Sequence, residues 1–503
     1  MSILSKIVAQ RRVRIARVGH AMGAELPASR TAPLVPFGRP PFLVCEVKRR
    51  SPSRGDIAPG RDAREQARGY VERGIRSISV LTEEDNFGGS IADLVRVKEA
   101  FPDVAVLRKD FLLDAEDVEV SWKAGADAVL LIASILDTGA LHALHRQARA
   151  RGMEALVEVH SVQDVEKCRP FAPTLTGINC RDLTTFSIDL LHPLKLSPRV
   201  DWDTRVLFES GIRSAEDVSL ALASGFSGVL VGETAMKSAD ALPGLLAAFS
   251  ADRAAGAPAG GGTAAFGVPP GAPRSGAAFG VPPGGFWARL CRRVRPGRPL
   301  VKICGITRGE DAELALALGA DALGFVFADS KRRASLALMR ELKDLSALKV
   351  AVVVTGPGRE APPELEALRK EGLVDAVQLH GDELPEQCAA VAFPYFKAVR
   401  VKDRADIEAM RLYRCPRVLA DAYSPQAAGG TGRRIPDDLA RELAAVGPVW
   451  LAGGLGPDNV GTAVRELTPE LVDASSRLEE SPGRKDAEKM RVFFREIDEN
   501  AKV

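Results

Sequence analysis

A glycine- and proline-rich segment from about Ala254 to Gly285 constrains the fold of this chain more than any other feature. Within it the octapeptide Ala-Ala-Phe-Gly-Val-Pro-Pro-Gly occurs twice, at Ala264–Gly271 and Ala277–Gly284. Repeated Pro removes backbone donors and repeated Gly raises the entropic cost of ordering, so neither helix nor sheet persists through it. The segment is read as a tether. The chain has 503 residues, about twice the length of a large single domain, so the tether separates two hydrophobic cores.

The two flanks share one texture. Short β-branched runs alternate with longer Ala/Leu/Glu/Arg segments, the pattern of βα units rather than hairpins. Eight candidate strands precede the tether, from Phe42–Lys48 to Gly228–Val231. Eight follow it, from Leu300–Cys304 to Leu471–Ala474. Two sets of eight predict an α/β protein with two (β/α)8 TIM barrels in tandem. The expected boundaries are residues 1–250 for the first barrel with an N-terminal helical extension, 251–298 for the linker and approach segment, and 299–503 for the second barrel. Ile3, Leu4, Ile7, Val8, Val13 and Ile15 are expected to share the apolar side of that extension. Chemistry is expected beyond the C-terminal strand ends, where the loops converge.

Charge narrows the function classes. Lys and Arg total 68 against 66 Asp and Glu, a net +2, which gives no electrostatic argument for a nucleic-acid partner. Charged residues interrupt every apolar run near the N-terminus, so neither a membrane span nor a signal peptide is expected there. The seven cysteines form no close pair with metal-ligand spacing, which suits a reducing, cytoplasmic setting and predicts no metal site.

At the strand ends of the first half, ionisable groups accumulate. Glu46 and Lys48 lie two apart on one strand and so face one side. Lys109 ends the third strand, Glu158 lies on the fifth, Asn179 ends the sixth with Arg181 just beyond, and Glu209-Ser210-Gly211 ends the seventh. Acids and lysines gathered at one end of several strands must pair or bind something, because isolated burial of charge is costly.

The stretches Pro41–Ser53, Ser79–Ser90, Leu107–Phe111, Leu156–His160, Gly177–Leu183 and Glu209-Ser-Gly-Ile resemble indole-3-glycerol phosphate synthase across nearly the whole first half. The resemblance implies ring closure of 1-(2-carboxyphenylamino)-1-deoxyribulose 5-phosphate with loss of carbon dioxide and water, without cofactor or metal. It implies Lys109 as general acid and Glu158 as general base, with Lys48, paired to Glu46, on the substrate carboxylate. Asn179 and Glu209 would orient hydroxyls and the acid–base groups, with Arg181 beside them. Ser51, Phe87, Ser210, Gly211 and Gly232 would surround the anthranilate ring and phosphate. Glu233, after Gly232, is expected to turn away from that phosphate.

The second half places Cys304 at the end of its first strand and Asp421 at the end of its sixth. Val301–Thr307, Gly324–Phe327, Val377–Glu383, Gly429-Gly-Thr-Gly, Ala452–Val460, Val472–Ser476 and Pro482-Gly-Arg-Lys-Asp resemble phosphoribosylanthranilate isomerase. The implied reaction is an Amadori rearrangement of N-(5-phosphoribosyl)anthranilate into the substrate of the first barrel. Asp421 would be the general acid that opens the furanose ring, Cys304 the base that removes the C2′ proton, and Arg333 the substrate clamp, with His380 in the binding set. Gly430, Gly453, Gly454 and Ser475 would hold the phosphate. Arg477 stands where a small residue is expected; it either obstructs that pocket or adds a contact to it. A synthase with a catalytically impaired second barrel is therefore the alternative to a bifunctional enzyme. Phosphosugar–anthranilate compounds are the expected small-molecule partners; the sequence names no protein partner.

Overall fold

The computed structural model describes residues 3–52, 55–58, 60–182, 187–256, 285–391, 393–422 and 435–501. The chain forms two compact units, Met1–Gly284 and Gly285–Val503. In the first, eight parallel strands close a barrel: β1 (Leu43–Val47), β2 (Ser77–Leu81), β3 (Ala105–Lys109), β4 (Ala128–Ile132), β5 (Glu154–Val159), β6 (Leu175–Asn179), β7 (Arg205–Glu209) and β8 (Gly228–Val231). Each strand pairs with its sequence neighbours, and β8 returns to β1 with Leu43 opposite Val229. The second unit repeats the design with β9 (Leu300–Cys304), β10 (Ala322–Val326), β11 (Leu348–Val353), β12 (Ala376–Leu379), β13 (Tyr395–Val401), β14 (Val418–Ala422), β15 (Trp450–Leu451) and β16 (Leu471–Ala474). Its closure sets Lys302 of β9 opposite Asp473 of β16.

An aspartate at the entry of a strand fastens the strand before it. Asp127 accepts from the Val106 N–H at 2.8 Å, Asp321 from Val301 at 2.9 Å and Asp375 from Lys349 at 2.7 Å. Two of these carboxylates belong to the Gly-Ala-Asp-Ala repeats at Gly125–Ala128 and Gly319–Ala322. In both, the Gly takes positive φ (+93° and +101°) at the end of a helix, where a side chain would be strained.

The N-terminal helix α1 (Ile3–Val18) joins the first core through Ile3, Leu4, Ile7 and Val8, beside Phe87, Phe111, Ile132 and Ile135. Its second half departs from the expected amphipathic side. Val13 is 71% exposed while Arg11 is buried, because Arg11 reaches Asp110 at 3.3 Å and Asp117 at 3.0 Å. Two buried carboxylates, not an apolar stripe, decide which face turns inward. A cleft of about 470 Å³ lies between α1 and Ser134-Ile135 after β4.

Residues 286–298, placed in the approach segment by composition, belong to the body of the second unit. Helix α2 (Phe286–Cys291) sets Phe286 against Phe396 and Trp287 against Trp450, at ring separations of 6.3 and 5.7 Å. Phe396 and Trp450 lie at the N-terminal ends of β13 and β15, so the rings close the barrel end opposite the strand C-termini. Among the described residues no helix is long and apolar enough to cross a membrane.

Candidate active sites at the two barrel mouths

Side-chain alternation sorts the first mouth. On β3, Arg108 and Lys109 face opposite ways. Arg108 points outward, wholly buried, to Asp110 at 2.9 Å and Ser121 at 3.1 Å. Lys109 points inward, where its Nζ donates to Glu209 Oε2 at 2.5 Å and Glu158 Oε2 at 3.2 Å. Three strands thus deliver one ammonium and two buried carboxylates to one point. Gly177 on β6 makes room for them, since a Cβ there would overlap Glu209 Oε1.

These groups set one another's ionisation. Burial alone would lower the Lys109 ammonium, but the charges of Glu209 and Glu158 outweigh it and hold the proton firmly. Burial pushes Glu209 up to about 8 despite Lys109, and the Glu158 charge adds to the rise. Glu158 moves the other way: burial opposes ionisation, but the Lys109 charge, His160 and hydrogen bonds from Glu209 and Lys109 together keep this carboxyl below its ordinary value. The cluster therefore holds an ammonium between two carboxyls pushed in opposite directions, Glu158 toward the ionised form and Glu209 toward the protonated one. It can deliver a proton and accept one within a few ångströms.

Lys48 pairs with Glu46 at 2.6 Å, and the Glu46 charge also bears on Lys109, so both pairs share one interior. Gly232 keeps its backbone close to the Lys48–Glu46 pair; a Cβ would come within 2.8 Å of Glu46 Oε1 and 3.2 Å of Lys48 Nζ. Asn179 Oδ1 accepts from the Arg181 N–H at 3.0 Å, holding the chain as it leaves β6. Ser210 and Gly211 both take positive φ, +69° and +77°. Ser51 is buried in a short antiparallel ribbon after β1, opposite Gly55, and half-buried Phe87 lies 6.2 Å from the Phe111 ring. Glu233 pairs with Lys237 at 2.6 Å along the surface of its own helix. Two groups were not singled out from sequence. His160, two residues beyond Glu158, sets Nε2 3.4 Å from Glu158 Oε1 with neither buried ring nitrogen hydrogen-bonded. Glu83 accepts from the Asn86 and Phe87 N–H groups at 2.8 and 2.9 Å and so shapes the loop bearing Phe87.

In the second mouth, Cys304 ends β9 and is partly exposed, while Asp421 on β14 is buried. Gln378 Nε2 lies 2.9 Å from His380 Nδ1, and His380 Nε2 lies 3.0 Å from Asp421 Oδ2. The His380 imidazole thus bridges Gln378 and Asp421. The backbone N–H of Ala422 donates to the other oxygen at 2.8 Å. Gly453, at φ +86°, passes so close that a Cβ would lie 2.6 Å from the Ala422 nitrogen and 2.9 Å from Asp421 Oδ1. Asp473 feels Lys302, Asp421 and His380 together, and its charge also bears on Cys304. Cys304 and Asp421 thus look into one interior from separate strands.

The two arginines after β10 divide differently from the sequence expectation. Arg333 is exposed and pairs with Glu364 at 2.6 Å, away from the mouth. Arg332 turns inward: its guanidinium grips both Glu479 oxygens at 2.9 to 3.0 Å, and its side chain flanks Gly305 together with Ser475 Oγ. Counting from Phe327 does not see the partners that distinguish the two adjacent arginines. Neither Glu479 nor Lys485 was singled out from sequence, although Lys485 lies in the Pro482-Gly-Arg-Lys-Asp stretch. Lys485 Nζ donates to Glu479 Oε1 at 3.0 Å and to the Cys304 carbonyl at 2.7 Å, tying the short ribbon after β16 back to β9. Arg477 does not project freely, since it pairs with Asp458 at 2.8 Å and reaches the Gly454 carbonyl at 3.3 Å. Gly430 lies outside the described residues.

Among the described residues, His20, Asp114 and Asp117 have metal-like spacing, but the Asp117 carboxylate already accepts from Arg11 at 3.0 Å and the Leu113 N–H at 2.8 Å.

Comparison with known proteins follows the same division. Residues 5–243 match the family described as indole-3-glycerol phosphate synthase, and residues 301–496 match N-(5'-phosphoribosyl)anthranilate isomerase. An indole-3-glycerol phosphate synthase of Nocardioides sp. is 44% identical over 198 residues, 39% of this chain and 76% of that protein. The N-(5'-phosphoribosyl)anthranilate isomerase of Geobacter sulfurreducens is 45% identical over 196 residues, 39% of this chain and 96% of its own. A multifunctional tryptophan biosynthesis protein of Schizosaccharomyces pombe is 30% identical over 543 residues; these take in 99% of this chain, which spans 66% of that relative's length. The chain therefore belongs to the indole-3-glycerol phosphate synthase family through its first unit and to the phosphoribosylanthranilate isomerase family through its second.

Proposed function

We propose that the chain carries out two successive reactions on phosphosugar–anthranilate compounds in tryptophan biosynthesis. The second unit isomerises N-(5-phosphoribosyl)anthranilate, and the first closes the resulting ketose to indole-3-glycerol phosphate with loss of carbon dioxide and water. The observation that carries this reading is Lys109 held between Glu158 and Glu209. Ring closure needs electrons drawn toward the carbonyl, so a retained ammonium proton is delivered there. Dehydration needs a base, and Glu158 is the carboxylate that stays ionised. Lys48 is suited to hold the substrate carboxylate in line for decarboxylation.

In the second mouth, Asp421 serves as the acid that protonates the ring oxygen, and Cys304 as the base that removes the C2′ proton. A proton donor and acceptor on separate strands suit a substrate lying between them. Arg332 takes the clamping role, because its side chain flanks Gly305 beside Ser475 Oγ while Arg333 is exposed and paired with Glu364. The Arg477–Asp458 pair leaves Arg477 without weight as support for an impaired second barrel.

The test assays both reactions on the full chain purified from a host lacking both enzymes. K109M is expected to lose about 10²- to 10⁴-fold of synthase turnover with the isomerase intact, and C304A the converse. Near-normal synthase turnover in K109M, or full isomerase turnover in C304A, would refute the corresponding assignment.

A further inference from the structure

Building on the reading of Cys304 as the base, we propose that Lys302 is the cation that stabilises the Cys304 thiolate and that Asp473 positions its ammonium. Lys302 and Cys304 lie two apart on β9 and leave the strand on one face. Lys302 is 1% exposed, and its Nζ reaches Asp473 Oδ2 at 2.7 Å across the β9–β16 pairing. An ammonium has three N–H groups, and Asp473 engages one of them. Gly324 on neighbouring β10 supplies the cradle: a Cβ there would lie 2.7 Å from Cys304 Sγ and 2.9 Å from Lys302 Nζ. Sulfur and ammonium thus crowd over one bare stretch of backbone.

The other charged groups facing the sulfur are largely paired among themselves. Lys485, whose Nζ bonds the Cys304 carbonyl, is matched by Glu479 at 3.0 Å, and Glu479 is matched again by Arg332. Across the barrel Asp421 faces His380 at 3.0 Å. Lys302 is therefore the cation that decides the sulfur's state, and Asp473 is the anion that competes for it. Burial raises the thiol above its ordinary value, with the Lys302 charge pulling it down and the Asp473 charge pushing it up. When the thiolate abstracts the C2′ proton, the sulfur becomes a thiol, the C–H electron pair stays with the substrate carbon, and Lys302 keeps its own proton. Lys302 is a positioning residue on this account, without contact to the substrate.

The proposal is tested by the rate at which iodoacetamide alkylates Cys304, located by peptide mass mapping, as a function of pH in the full chain. K302M should slow alkylation at neutral pH about tenfold or more, because an opposite charge at this range shifts a pKa by about one to three units. D473N should speed it, and K302R should stay near the parent rate. Simple loss of packing would not move K302M and D473N in opposite directions. If both variants shift alkylation the same way, or neither shifts it, the proposal is overturned even though C304A is inactive. Full isomerase turnover in C304A, in contrast, removes the base assignment on which the proposal stands.

Discussion

At the scale of single residues, neighbours on one strand can have unrelated duties. Lys109 and Asp110 are adjacent, yet the first faces the mouth and the second faces Arg11, Arg108 and Thr82 behind the sheet. Asp110→Ala leaves the wholly buried Arg108 short of a counter-charge, a change that costs about 3–5 kcal/mol in other proteins. We expect urea unfolding to register that loss in the first unit, with a smaller fall in synthase turnover than in K109M. Glu209 makes a second prediction. Its folded-state pKa of about 8 lies above the ordinary 4.5, so its contribution to stability is complete below the lower value and is lost as pH rises through the upper one. Glu158, shifted downward, contributes in the opposite sense and loses its share only as pH falls. E209Q cannot ionise, and its stability relative to the parent should therefore climb between about pH 5 and pH 8. A flat difference across that window would remove the protonated Glu209 from the account. Glu46, Lys109 and Glu158 were legible from sequence because they lie at or next to the C-terminal ends of strands; Glu479 and Lys485 were not, because they sit on the ribbon after β16 and reach Arg332 and the Cys304 carbonyl on other elements.

At the scale of elements, the strands were the most legible part. Ala128–Ile132, Leu175–Asn179 and Leu300–Cys304 run as their β-branched patterns indicate. β15 is the exception, only Trp450–Leu451, because Gly453 and Gly454 take positive φ and lead the chain out of the ladder just past it. Glycines on the strands themselves have a function that periodicity does not disclose. A Cβ on Gly177 of β6 would occupy the space of Glu209 Oε1, and strand backbone gives less readily than a side chain. G177A is therefore expected to swing Glu209 off Lys109 and to lower synthase kcat more than it raises KM. Unaltered kcat would mean that Glu209 has another way to reach the ammonium. All five residues of β6 are buried, so burial along the strand does not identify which position faces a carboxylate from β7.

At the scale of the whole molecule, each unit closes its own sheet and holds its own core. The first apolar cluster runs between Ile7 and Leu230, the second between Val301 and Ile497. Composition places the second domain boundary at residue 299, where the first strand is about to begin. The aromatic cluster moves it back to residue 285. Phe286 and Trp287 are 3% and 5% exposed against Phe396 and Trp450, and α2 is too short to be read with assurance from periodicity when glycine and proline precede it. A fragment of residues 285–503 should thus unfold cooperatively and keep isomerase turnover. A fragment of residues 299–503 keeps every strand and every residue proposed for chemistry but uncovers Phe396 and Trp450. Deleting one large buried aromatic side chain costs about 3–5 kcal/mol, a large part of what a domain of this size has in reserve. The shorter fragment is accordingly expected to unfold at markedly lower denaturant, or to aggregate, while the longer one remains soluble. Equal unfolding midpoints for the two fragments would show that the rings on α2 cover the barrel end without stabilising it.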